Sequence, residues 1–241
     1  MIDLHNHMLP GLDDGSIDLE AALDLARMAV ADGIKTIVCT PHMHPGRHDN
    51  SVSGIQVACA RMKVALFEAD IALRIAAAAE VRFGDHLPAA IESQSLSFMG
   101  EWEGRRVVLL EFPHGQIPYA AEHLIDWLLA HGIVAMIAHP ERNKAVMRNP
   151  AKLRPFVARG CLLQVTGASL TGYFGQQVQS VARDLLEQGV VHVLASDGHN
   201  VRHRPAVLAQ AHQCAAQLIG DRKAYALVHD TPWEIAQGLF A

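Results

Sequence analysis

Two histidines two residues apart, His5 and His7, open this 241-residue chain, and the carboxylate pair Asp13-Asp14 follows them within a turn-rich segment. In an extended strand, residues i and i+2 project from one face about 7 Å apart, so both imidazoles can converge on one metal ion. Similar donors recur downstream in short clusters. They are His42 after Thr40-Pro41, Glu80, Glu111, His139 in His139-Pro140-Glu141-Arg142-Asn143, and Asp197 with His199 in Ser196-Asp197-Gly198-His199-Asn200. Five histidines and up to four acids exceed the roughly four to six ligands of one ion and suit two or three ions sharing carboxylate bridges. Mixed imidazole and carboxylate ligation fits Mn²⁺, Fe²⁺ or Zn²⁺ alike. Ions about 3.5–4 Å apart lower the pKa of a bridging water and clamp the oxygens of an in-line displacement, which is most naturally the hydrolysis of a phosphate ester.

These donors need a scaffold that brings distant segments to one rim. Apolar, β-branched runs at 34–40, 71–81, 106–110, 133–138, 161–165 and 190–195 predict buried strands, in addition to the apolar start that carries His5 and His7. Between them lie helical patterns. The first has Ser16 as its N-cap, Asp18 and Glu20 in its first turn, an apolar stripe of Leu19, Ala22, Leu23, Ala26 and Val30, and Gly33 as its stop. Further helices are predicted over 51–69, 118–131, 150–159, 176–187, 205–219 and 221–229, with a short tail at 232–240. Gly84, Pro88 and Gly100 break 82–104 into short pieces.

About seven strands alternating with helices predict an α/β fold, a closed or nearly closed parallel barrel forming one domain over 1–241. Such barrels gather their chemistry at the C-terminal ends of the strands, where nearly every donor above falls. The 161–165 strand is the exception, ending in Thr166-Gly167 with no ligand.

The bulk composition narrows the function. A net charge of −5 gives no basic stripe for nucleic acid. No apolar run approaches the ~18 residues of a membrane span, and no signal-peptide pattern precedes the first strand. Four scattered cysteines, none in C-x-x-C, read as reduced core thiols and suit a cytoplasmic protein. A cysteine-nucleophile phosphatase needs arginine six residues after its cysteine, but Pro45, Ala65, Gly167 and Gly220 occupy those places.

Other polar residues have simpler readings. Asp13 orders the turn before Ser16, His44 and His48 are loop or supporting residues, and His131 sits on the surface at a helix end. His192 is a hydrogen-bonded core residue. Glu141 either orients His139 or pairs with Arg142. Tyr119, Tyr173 and Phe174 are the aromatic candidates for a pocket mouth.

His5-Asn6-His7, Leu9-Pro-Gly-Leu-Asp-Asp14-Gly, Thr40-Pro-His42, Glu80, Glu111, His139-Pro-Glu-Arg142-Asn and Ser196-Asp197-Gly-His199-Asn resemble the metal motifs of the polymerase-and-histidinol-phosphatase (PHP) superfamily. Within it, the chain most resembles the bacterial manganese-dependent protein-tyrosine phosphatases of capsule and exopolysaccharide operons. The resemblance runs in order over nearly the whole chain. It implies a distorted (β/α)7 TIM-like barrel with three divalent metal ions, of which Mn²⁺ is the family's own. The ligands it implies are His5, His7, Asp14, His42, Glu80, Glu111, His139, Asp197 and His199, with Arg142 and Arg204 handling phosphate. The implied reaction attacks phosphotyrosine with a metal-bridging hydroxide, and the implied partner is the phosphotyrosine-bearing tail of a polysaccharide-export tyrosine kinase. A small-molecule phosphatase of the histidinol-phosphate type and a non-catalytic, metal-stabilised protein-binding module are the alternative functions. Met43 interrupts a histidine run common in the family, and 82–104 carries none of its motifs.

Overall fold

The structure, a computed structural model, describes residues 1–241. Its strands are β1 (Ile2–Asn6), β2 (Thr36–Cys39), β3 (His42–Met43), β4 (Arg74–Ala77), β5 (Glu80–Arg82), β6 (Glu101–Trp102), β7 (Arg105–Glu111), β8 (Ile133–Ala138), β9 (Leu162–Thr166) and β10 (Val193–Ala195). One parallel path runs β1-β2-β4 and another β10-β9-β8-β7-β5-β3, with β6 antiparallel on the edge of β7. The paths meet where the last strand rejoins the first: His7 N–H donates to Gly198 O and Asp197 N–H to His5 O, both at 2.8 Å. This is the predicted α/β barrel, and it is distorted.

The distortion has a local cause. The sequence predicts one strand over 71–81, but the chain forms β4 and β5, which belong to different paths. A matching jog separates β2 from β3 at Thr40-Pro41, where proline has no N–H to extend the ladder. Pro41 O instead accepts from Glu80 N–H at 3.2 Å, so the two jogs are tied together. They turn His42 and Glu80, register partners of β3 and β5, toward the barrel mouth.

Alternation along the strands makes two apolar layers. Val107 and Leu109, Val134 and Met136, and Ile2 and Leu4 fill the barrel interior, whereas Val108, Leu110, Ile133, Ala135 and Ile137 pack outward under the helices. In β1 the register with β2 slips by one residue between Asp3 and Asn6. A bulge of this kind re-aims side chains. The floor is closed by the predicted tail, which forms a helix at Asp230–Ala236 and a 3-10 turn at Gln237–Phe240, with Ile235 and Ala236 inside the barrel. Segment 82–104 contributes a short helix, Leu87–Glu92, together with β6 and the buried Met99.

The first helix spans Leu19–Ala31, and its N-cap is Asp18, whose side chain accepts from Ala21 N–H. Ser16 is not the cap. It is buried, and its backbone N–H donates to His7 O at 3.2 Å, locking the turn against β1. The buried face is Ala22, Leu23, Leu25, Ala26 and Ala29, while Leu19 is solvent-facing. All four cysteines are free, and three of them are buried.

Candidate metal centre

The predicted donors come from widely separated segments of the chain, yet they meet in one place. Four groups of ligand atoms lie within 4.8 Å of one another: His7, Asp14, His42 and His199; His5, His7 and Glu80; His5, His139 and Asp197; and His42, Glu80 and Glu111. Together these groups contain every one of the predicted metal-ligand residues.

Glu80, at the start of β5, lies at the centre. Its Oε1 accepts from His139 Nε2 at 2.8 Å, and its Oε2 lies 3.2 Å from His5 Nε2, 3.3 Å from His7 Nε2 and 3.0 Å from His42 Nδ1. Asp197, just past β10, divides its two oxygens between tasks. Oδ2 accepts from both Arg142 and Arg204, while Oδ1 faces His5 Nε2 at 3.4 Å and His7 Nε2 at 3.5 Å. Asp14 Oδ1 reaches His42 Nε2 at 3.4 Å and His199 Nε2 at 3.6 Å. Glu111 ends β7, forms an ion pair with Arg82 at 2.9 Å and groups with His42 and Glu80.

Charge sets the protonation of this cluster. Burial alone would raise the Glu80 carboxyl, but the neighbouring His5 and His139 outweigh it and hold the group well below the usual carboxylate range. Asp197 behaves likewise, with Arg204 and His5 overcoming its burial. Asp14 is drawn far down by His199 and His42. His42 loses stability as a cation through burial yet is raised to about 10 by Asp14 and Glu80, whereas burial pushes His199 down to about 4.

The donor set fits divalent cations on a second count. Glu80 Oε2, Asp197 Oδ1 and His199 Nε2 are buried polar atoms without a hydrogen-bond partner. Buried carboxylate oxygens left in this way are costly unless a cation answers them. Hard oxygens with imidazole nitrogens and no thiolate suit Mn²⁺, Fe²⁺ or Zn²⁺.

Backbone strain appears at the same rim. His139 has φ 33° and Asp197 φ 53°, left-handed conformations that side-chain-bearing residues seldom adopt. Both are held in place: His139 N–H donates to Gln164 Oε1 at 3.2 Å, and Asp197 N–H to His5 O.

A supporting layer surrounds the donors. Asp13 is more than a turn former, because its Oδ2 accepts from His7 Nδ1 at 2.7 Å and from His42 N–H at 2.9 Å, while Oδ1 accepts from Gly15 N–H at 2.9 Å. Gln164 on β9 faces His5 Nδ1 at 2.9 Å, so the strand with no ligand still serves the site. Buried Asp3 ties the first strand to the last, accepting from Ser196 N–H, Ser196 Oγ and Asn6 Nδ2. Glu141 takes neither predicted role: it is fully buried and accepts from Thr166 N–H at 3.0 Å and Ser169 Oγ at 2.7 Å. His192 accepts from Leu163 N–H at 3.2 Å, and His131 stacks on Trp127 at 3.8 Å.

The cluster opens into a cavity of about 170 Å³. Asp14, His42, Glu80, Glu111 and His139 form its floor, and Arg47, Arg82, Arg142, Arg204, His44, His48 and His114 its walls. Four guanidinium groups around an acidic, histidine-rich floor make an anion site above a cation site. Sequence reasoning found Arg142 and Arg204 and missed Arg47, Arg82 and Gln164. Arg82, two residues from Glu80 in one short strand, and a glutamine inside an apolar strand were the available signals.

The fold and this cluster define an α/β-barrel protein organised around an imidazole–carboxylate metal-type centre with guanidinium walls. The model of the family described as "Capsular polysaccharide synthesis, CpsB/CapC" matches residues 1–237, and the chain belongs to that family. It is 35% identical over 204 residues to the tyrosine-protein phosphatase YwqE of Bacillus subtilis, covering 85% of this chain and 79% of that protein. To the tyrosine-protein phosphatase CpsB of Streptococcus pneumoniae it is 30% identical, with 98% of each chain covered. Among solved structures it matches those of YwqE and CpsB, described as unique metal-dependent tyrosine phosphatases, with a TM-score of 0.89 and 33% identity over 97% of this chain and 93% of that one. No helix is long and apolar enough to cross a membrane.

Proposed function

We propose that this protein is a metal-dependent protein-tyrosine phosphatase, a phosphoric monoester hydrolase contained in one domain over 1–241. The observation that carries the reading is Asp197, which faces the donor cluster with one oxygen and Arg142 and Arg204 with the other, joining a cation site to an anion-binding wall. Family membership and the named activity of the relatives support the substrate class.

The residues that would hold the metal are His5, His7, Asp14, His42, Glu80, Glu111, His139, Asp197 and His199. Three divalent ions suit that number of donors, and Mn²⁺ is the ion we assign. Bound there, they supply Lewis acidity that activates water near neutral pH and offsets charge on phosphoryl oxygens. Arg142 and Arg204 orient the phosphoryl group through their free N–H donors, with Asp197 fixing both guanidinium planes. A tyrosinate leaving group, with a conjugate-acid pKa near ~10, departs with less general-acid help than an alkoxide needs. The physiological substrate is the phosphotyrosine-bearing tail of a tyrosine kinase of polysaccharide export, met in the cytoplasm.

The test is phosphate release from a phosphotyrosyl peptide by chelator-stripped protein titrated with Mn²⁺, with a phosphoseryl peptide and histidinol phosphate alongside. Tyrosine-selective turnover that returns with Mn²⁺ and is lost in His139→Ala is expected. Turnover confined to histidinol phosphate would replace the substrate with a small molecule, and binding of the kinase tail without hydrolysis would leave a non-catalytic module.

A further inference from the structure

The cavity above the donor cluster holds about 170 Å³, and not one of its twelve lining residues is hydrophobic. It suits a phosphoryl group. Nothing in it distinguishes an aryl ester from an alkyl ester, so a preference for one must come from groups beyond its walls.

One aromatic pair touches that wall. The Phe174 ring stacks over the Arg142 guanidinium at 4.5 Å, the one cation–π contact in the molecule that reaches a cavity residue. Tyr173 meets Phe174 edge to face, with ring centroids 5.2 Å apart, and is 55% exposed. The pair lies between the short helix Gly167–Leu170, directly after β9, and the helix Gln176–Glu187. Its loop is fixed at both ends: Tyr173 N–H donates to Ala168 O at 3.1 Å, and Gly175 N–H to Gly172 O at 3.0 Å. The two glycines have φ of 86° and 92°, conformations that let the chain turn tightly on either side of the aromatic pair.

Most of the chain's other aromatics are engaged elsewhere, and Phe67 is 86% exposed. Phe112 meets Phe83 edge to face and Phe156 at a tilt, and Trp233 and Phe240 pair below the barrel beside Arg74. Tyr119 is fully exposed, with no ring stacked against it.

We propose that Tyr173 and Phe174 form the rim that receives the phenyl ring of the ester, so that they set the preference of this site for aryl over alkyl phosphomonoesters. The inference rests on the phosphatase reading above. Phe174 positions Arg142 from one face, and the exposed Tyr173 ring offers the surface on which a phenyl group leaving the cavity mouth can pack. A seryl ester ends in a single methylene and cannot reach it. A favourable aromatic pair corresponds to about a 3- to 10-fold preference.

The experiment compares kcat/KM on phenyl phosphate and on an alkyl phosphomonoester for Mn²⁺-loaded wild type, Tyr173→Ala and Phe174→Leu. Affinities for phenylphosphonate and methylphosphonate, measured by calorimetry, provide a second readout. The aryl-over-alkyl ratio is expected to fall about 3- to 10-fold in Tyr173→Ala, with the same trend in the two affinities. Phe174→Leu, which also disturbs Arg142, is expected to lose rate on both esters and more on the aryl one. Wild-type activity with an unchanged ratio in Tyr173→Ala overturns the rim alone. Wild-type protein that hydrolyses neither ester overturns the phosphatase reading and the rim with it.

Discussion

His5 Nδ1 and Gln164 Oε1 lie 2.9 Å apart in the floor of the barrel mouth, both fully buried. An amide oxygen can only accept, so Nδ1 of this imidazole carries a proton toward it, and Nε2, which faces Glu80 and Asp197, is the nitrogen that would give its lone pair to a metal ion. The same oxygen accepts His139 N–H and supports that residue's left-handed backbone. Gln164→Leu removes both contacts with little change of volume. Its Mn²⁺ affinity is expected to fall about 10- to 100-fold, as for other partners of metal-bound histidine. Gln164→Glu keeps the acceptor and should stay close to wild type. Calorimetric titration of stripped protein checks this, and equal loss in both variants would show that the contact does not set the tautomer.

The two arginines on Asp197 Oδ2 lead to a second expectation. Arg142→Ala and Arg204→Ala each remove a donor from the phosphoryl wall while the donor cluster keeps its composition. A drop in kcat/KM of about 10²–10³ is expected for each, with metal content unchanged. Arg142→Lys should recover only part, because an ammonium cannot both hold Asp197 and lie flat under Phe174. Steady-state kinetics with metal analysis of each variant decides the matter, and loss of metal in Arg142→Ala would move this residue from substrate to cluster assembly.

Acid and metal should compete at His42. Its pKa is raised to about 10, above the ordinary value of 6.5, chiefly by Asp14 and Glu80 acting against burial. In chelator-stripped protein the protonated ring therefore contributes stability that is fully present below pH ~6.5 and lost as pH rises through about 10. Metal uptake must displace that proton, so its contribution runs the other way. The Tm gain on adding Mn²⁺ is expected to grow between about pH 6 and about pH 9, with a net release of protons at neutral pH, because His5 and His7 are shifted upward as His42 is. Calorimetry in two buffers of different ionisation enthalpy measures the release, and the absence of any net proton would contradict it.

The order of the rim was legible because each of His42, Glu80, Glu111, His139 and Asp197 follows an apolar run whose end is marked by proline, glycine or a change of polarity. Periodicity could not reveal the break at Ala78-Ala79, since alanine is apolar on either face and a jog between two paths leaves an unbroken apolar run. Ser16 and Asp18 are both good N-caps, and only the buried turn against His7 selects Asp18. Glu141 reads as a partner for its sequence neighbours because nothing local marks any other. Its real partners, Thr166 and Ser169, are 25 and 28 residues away and meet it through the barrel. Asp3 and Gln164 share that property: each joins strands distant in sequence, so only closure of the barrel gives them work.

The turn carrying Asp13 and Asp14 depends on a glycine for reasons of space. A Cβ on Gly15 would lie 2.1 Å from His7 O and 2.6 Å from His7 Cβ, both belonging to a buried segment that cannot withdraw. Gly15→Ala must push the turn off β1, taking with it the Asp13 contacts to His7 and His42 and the approach of Asp14 to His42 and His199. Overpacking of this kind costs about 1–3 kcal/mol, which for a chain of this size lowers Tm by roughly 2–12 °C. Because the displaced turn also carries the cluster, Mn²⁺ should rescue Gly15→Ala less than it stabilises wild type. Gly238→Ala is the control: its Cβ meets nothing within 4 Å, and both its Tm and its response to Mn²⁺ should match wild type. Thermal melts with and without Mn²⁺ separate the outcomes. A destabilised Gly15→Ala that gains as much from the ion as wild type would mean that the turn braces the barrel without setting the donors.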